Sequence, residues 1–298
     1  MMARHSGRSG PEYERGSWRD EIQDLLRAAS GGFIFAVPLL YTMEMWEIGV
    51  TAELWKLLLF LGVALAINLG LAHSRSGGFK AETNWFATIE QAVDTLAVGL
   101  VGGVLVLLVL NQIAFDDPPE SILGRVLVQA VPLSIGAAVA AAIFGARGER
   151  SRDGGEEDAQ EEVKPPSAWR AFLSDFGATC LGAIFLGFSI APTDEVSVLA
   201  AELTPPHQVA VIFLSLLLSY MIVFVSGFSA SSRNQPGPFQ LPITETALAY
   251  SLSLLVSLGA LLLFDRVELS DPPAHILTLV IVLGLPATVG GAAGRLVV

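Results

Sequence analysis

Polar and apolar positions alternate along this chain in long blocks. Eight apolar stretches run over roughly 29–48, 54–73, 86–113, 122–145, 172–191, 208–228, 243–264 and 275–296. Each is near the length of about 20 residues that a helix needs to cross ~30 Å of hydrocarbon. Ten-residue segments of alternating polarity, the mark of a membrane β-barrel, do not occur. The pattern predicts an all-α fold, a polytopic transmembrane helix bundle of eight spans.

Two of these stretches carry the same interruption. Gly31–Ile48 reads GGFIFAVPLLYTMEMWEI and Gly182–Val196 reads GAIFLGFSIAPTDEV. Thr42 and Glu44 stand 151 residues before Thr193 and Glu195, and Asp24 and Gly31 precede Asp175 and Gly182 by the same interval. Further on, Asp117-Pro118-Pro119 returns as Asp271-Pro272-Pro273 at a spacing of 154, as do Pro132 and Gly136 in Pro286 and Gly290. Glu90 aligns with Glu245 once a one-residue gap is allowed. Repetition on this scale predicts two four-helix repeats. Four is even, so the halves enter the membrane the same way round, as parallel repeats about an axis along the membrane normal. The domains expected are a cytoplasmic tail (1–28), a first repeat (29–145), a charged linker (146–171) and a second repeat (172–298).

Charge orients the bundle. Only 15% of residues are charged, against about a quarter in soluble domains, and the mean hydropathy is +0.59. Of the 17 basic residues, 14 fall on the side of the two termini and only Arg266 on the other. The positive-inside rule then puts both termini in the cytoplasm. The polar N-terminal region is too long for the charged region of a signal peptide, which predicts a retained first helix. The opposite rim is acidic, with Glu47, Glu53, Asp116, Asp117, Glu120, Asp194, Glu202, Asp265, Glu268 and Asp271. Such a rim is either a solvated border or a surface that concentrates cations. The linker Ala146–Ser167 mixes both signs with Gly-Gly and Pro-Pro and reads as flexible. The net charge of −12, with no basic stripe, argues against a nucleic-acid partner. Cys180 is the one cysteine, which excludes an internal disulfide and a cysteine metal site.

TMEMW at Thr42–Trp46, the two Asp-Pro-Pro turns and the duplicated four-helix plan resemble a family of bacterial integral membrane proteins of unknown function. The resemblance covers most of residues 24–297. It implies the bacterial inner membrane and no activity, so no functional residue carries over from it.

The candidate chemistry lies in the carboxylates. Glu44 and Glu195 end the first and fifth stretches, where they either reach the headgroups or face each other as a cation or proton site. Two carboxylates at close range raise at least one pKa and suit proton exchange. Glu90 and Asp94, at i and i+4, share one face of the third stretch. Asp94 lies two turns inside and calls for a polar cavity or a proton. Glu245 opens the seventh stretch after Pro242; the helix dipole alone would favour it there. Asn68 and Gln129 are expected to hydrogen-bond between helices. Asp117 and Asp271 are expected to cap the helices that follow them. Pro132 and Pro286 interrupt the fourth and eighth stretches and predict kinks, with close helix contact or a hinge at the small residues beyond. HExxH, GxSxG and GxxxxGK[ST] are all missing, and the histidines show no ligand spacing, so neither an enzyme, a cofactor nor a metal is expected. The reading is a transporter or channel for a small cation, with proton coupling as one mode. An outer site would use Glu44 and Glu195, and an inner one Glu90, Asp94 and Glu245. The alternative is a non-transporting scaffold or sensor, with the bilayer as its partner and the tail and linker as its working parts.

Overall fold

The computed structural model describes residues 18–75, 85–153, 168–225 and 242–296. Among these the chain forms ten α-helices and no strand. They are α1 (Trp18–Leu40), α2 (Met43–Thr51), α3 (Leu54–Arg75), α4 (Trp85–Val109), α5 (Pro119–Asp153), α6 (Ala168–Ile190), α7 (Glu195–Glu202), α8 (Pro205–Tyr220), α9 (Pro242–Leu263) and α10 (Pro273–Gly294). A π-helical turn, Met221–Val225, extends α8. Seven helices are long and apolar enough to cross a membrane alone. The bent pair α1–α2, whose two pieces meet at 87°, passes the same test only when both pieces are taken together, for up to eight. The segment expected as one helix over 29–48 is therefore broken at Tyr41–Thr42. α5 continues to Asp153, so the first residues of the expected linker, 146–171, are helical; residues 154–167 and the tail before Trp18 lie outside the described residues.

The break has a local cause. Pro38 lies in the last turn of α1, and its ring cannot donate to the helix ladder. Thr42 then donates its hydroxyl to Pro38 O at 3.0 Å and its N–H to Leu39 O, occupying carbonyls that a terminating helix leaves open. Buried Trp46 donates its indole N–H to Leu40 O at 3.0 Å and holds α2 against the end of α1. The second half stops in the same way. Thr193 donates its hydroxyl and its N–H to Ile190 O, and α7 begins after a short turn.

The two halves have one order of elements: long, short, long, long, long. Their turns also share hydrogen bonds. Thr42 N–H to Leu39 O and Ala52 N–H to Ile48 O return 151 residues later as Thr193 to Ile190 and Leu203 to Leu199. Gln112 N–H to Leu107 O returns 154 later as Arg266 to Leu261, each at 2.8 Å. The residues before these, Asn111 and Asp265, have positive φ of 57° and 55°, the left-handed conformation that ends a helix. Asp117 and Asp271 differ from expectation in one respect. Each carboxylate turns back to a loop N–H, of Ala114 at 2.9 Å and Glu268 at 2.8 Å, instead of capping the next helix. The following prolines, Pro119 and Pro273, open α5 and α10 where no N–H is needed.

Each half is built around its last helix. α5 packs against α1, α2, α3 and α4, and α10 against α6, α7, α8 and α9. Glycines set the crossings. A Cβ at Gly182 would fall on Gly290 O, one at Gly31 on Ala140 Cβ, and one at Gly124 on Gly49 O. The small residues beyond Pro132 and Pro286 thus serve close helix contact, and both prolines sit inside continuous helices. The halves meet where α1 lies against the π turn and α10, and where α4 meets α8. Tyr41 donates its hydroxyl to Val282 O at 2.8 Å across this junction. Asn111 donates its amide N–H to Glu202 O at 2.8 Å, and Gln112 donates its own to the Glu202 carboxylate.

Candidate functional site

Glu44 and Glu195 each stand in the first turn of a short helix, beyond the ends of α1 and α6. A carboxylate there meets the positive end of the helix dipole. α2 rests on α5, and α7 rests on α10. Glu44 is exposed and Glu195 half-buried. Among the described residues neither makes a hydrogen bond or an ion pair. Several of their acidic neighbours are committed. Asp194 accepts from Arg266 at 2.7 Å, Glu53 pairs with Lys56 at 3.3 Å, Glu202 is held by Gln112, and Asp117 and Asp271 close their own loops.

The three carboxylates expected to form an inner site are divided. α4 buries Thr88, Ala92, Thr95, Gly99 and Gly102 against its neighbours. Glu90 and Asp94 fall on the other side of this helix and are exposed, among Phe86, Ile89 and Val93. Glu245 lies elsewhere, in the first turn of α9, and pairs with the guanidinium of Arg295. Arg295 also lies 3.5 Å from Asp175 of α6, and its side chain is only 2% exposed. A charge so buried requires these two carboxylates. The arginine is at the C-terminal cap of α10, where the helix dipole also favours a cation. Sequence reasoning counted Arg295 only as an orienting charge. The signal was present: Asp175, Glu245 and Arg295 all lie near helix ends on the same side of the predicted topology.

Asn68 and Gln129 were expected to bond between helices. Both are buried, and the amide N and O of each have no partner among the described residues. Asn68 faces a cleft between α3, α4 and α5, shared with Gln91, Thr95 and Ala138. The cleft is too narrow to admit a water. Among the described residues no three His, Cys, Asp or Glu side chains gather as metal ligands.

The comparisons agree with the membrane reading. The family model of DUF2391, a family described as integral membrane proteins, matches residues 24–298. No curated protein matches the chain, and no solved structure does.

Proposed function

The chain belongs to the DUF2391 family of integral membrane proteins, and from that premise we propose that it moves a small cation across the bilayer, with Glu44 and Glu195 as the outer site. One observation carries the reading: α1 and α6 each end in a Thr-x-Glu turn that offers a carboxylate with no partner among the described residues. Discontinuous helices whose ends face an ion are a recurring device of transporters. Glu245 supplies no inner site, since Arg295 already neutralises it; Glu90 and Asp94 remain as the inner carboxylates. Protons can serve as the coupling ion if two carboxylates share the site. The setting is the bacterial inner membrane, with both termini cytoplasmic.

The rival is a scaffold or sensor without flux. The exposure of Glu44, together with the glycine-tight crossings of α5 and α10, favours it.

Reconstituted liposomes separate the two. Glu44→Gln and Glu195→Gln should each slow cation flux, and the double change should nearly abolish it. Unchanged flux in the double variant from pH 5 to pH 8 rejects the site.

A further inference from the structure

Pro286 lies inside α10 and has no N–H to give its own helix. The acceptor it leaves without that donor is the carbonyl four residues back, Val282 O. Val282 is fully buried, and a backbone oxygen left without a partner there is costly. The donor comes from the other half of the chain. Tyr41 donates its hydroxyl to Val282 O at 2.8 Å, and its side chain is buried as well.

The place of Tyr41 in the chain gives this bond its consequence. Tyr41 stands between the last residue of α1 and Thr42, where the chain bends by 87° into α2. Two other side chains shape the bend, Thr42 through Pro38 O and Trp46 through Leu40 O. Both of those bonds stay within α1 and α2. The bond of Tyr41 fixes the bend to α10.

The other half repeats the proline without the tyrosine. Pro132 withholds its N–H from Val128 O, which stands 154 residues before Val282. The residue 151 after Tyr41 is Pro192, which is exposed and has no hydroxyl to offer. The turn between α6 and α7 therefore lacks this reach, although it shares its backbone bonds with the turn between α1 and α2.

We propose that Pro286 and Tyr41 form one joint: the proline frees a carbonyl, and the tyrosine, by occupying it, sets the angle at which α2 leaves α1. Tyr41 is then a positioning residue for the Thr42–Glu44 turn. This names what orients Glu44 in the proposed outer site, but the joint holds whether or not that turn takes a cation. Its test therefore reads geometry and not flux. A residue with an N–H at position 286 would restore the helix bond to Val282 O. Removing the phenol would then leave no orphaned acceptor. So the effect of losing the hydroxyl must depend on residue 286, which an ordinary packing contact would not require.

Spin labels on the full chain in lipid nanodiscs test the joint by pulsed electron paramagnetic resonance. Val50→Cys on α2 and Leu277→Cys on α10, both exposed, report the bend in a Cys180→Ala background. Ser197→Cys with Leu277→Cys reports α7 in the same way. Tyr41→Phe keeps the ring and removes only the hydroxyl. It should shift and broaden the Val50–Leu277 distances and leave the Ser197–Leu277 distances as they were. Added to Pro286→Ala, or to Pro286→Ser as a second variant with an N–H, it should cause no further shift. Added to Pro132→Ala, it should cause the full shift. Unchanged Val50–Leu277 distances in Tyr41→Phe would mean that the bend is held by its own turn, and would overturn the proposal. Equal shifts at both label pairs would show general loosening and overturn it too. So would an equal effect of Tyr41→Phe with and without Pro286.

Discussion

At the end of the bundle opposite the Thr-x-Glu turns, the second half gathers Asp175, Glu245 and Arg295, with the guanidinium almost fully buried. The first half holds the equivalent carboxylates, Asp24 and Glu90, but has Ala141 where Arg295 would fall. Asp24 pairs instead with Arg27, one turn along its own helix at 2.7 Å, and Glu90 is exposed. So two halves with matching turns hold carboxylates at matching positions and draw the arginine from different helices. The turn bonds and the glycine crossings recur because they fix the backbone. The charges need only be balanced, and a balance can be struck from any neighbouring helix.

The largest expected effect follows from this contrast. Arg295→Ala takes the buried guanidinium from half-buried Glu245 and should lower stability by about 3–5 kcal/mol. Arg27→Ala removes a largely exposed pair and should change it by less than about 1 kcal/mol. Thermal unfolding in detergent measures both. Equal losses would mean that the first half is closed by its arginine as firmly as the second, and the contrast would fail.

Glycines give the next effect. Gly182→Ala and Gly31→Ala place a methyl on the partner helix and should each destabilise by roughly 1–3 kcal/mol. Gly62→Ala and Gly259→Ala meet open space and should stabilise by up to about 1 kcal/mol. The sign of the change is the readout. A stabilising Gly31→Ala would show that the α1–α5 crossing is looser than its counterpart, α6–α10.

The spans were legible because hydrocarbon imposes length and polarity on every crossing. The last two helices were read within two residues of their bounds, with Pro242 and Pro273 marking their starts. The break at Tyr41–Thr42 was not legible. An all-round apolar stretch has no periodicity to interrupt, and Thr42 serves a continuing helix and an ending one equally well. The Thr-x-Glu pair was visible as a repeat, but its placement on short helices depended on that break. The division of the inner carboxylates was hidden for another reason. Which face of α4 is covered is decided by α5, through Gly99 and Gly103, and no local pattern at Glu90 or Asp94 reveals it.

The smallest effect compares the two helix-ending residues. Asn111 and Asp265 both hold positive φ, a conformation that costs an L-residue other than glycine about 1–2 kcal/mol, and asparagine or aspartate rather less. Glycine removes that cost at either place. The side chains differ, however. Asn111 donates to Glu202 O at 2.8 Å across the junction of the halves, whereas Asp265 makes no such bond among the described residues. Asp265→Gly should therefore stabilise by roughly 0.5–1 kcal/mol. Asn111→Gly gains the same relief and loses a hydrogen bond worth about 1 kcal/mol, so it should come out near zero. The measurement is the difference between the two shifts in unfolding temperature, which cancels the shared backbone term. If Asn111→Gly stabilises as much as Asp265→Gly, the bond to Glu202 contributes nothing, and the junction is held by Tyr41 and the apolar face of α1. If Asn111→Gly destabilises outright, the outer turn of the first half is a strut between the halves, and the second half, with Arg266 turned to its own Asp194, has no equivalent within the chain.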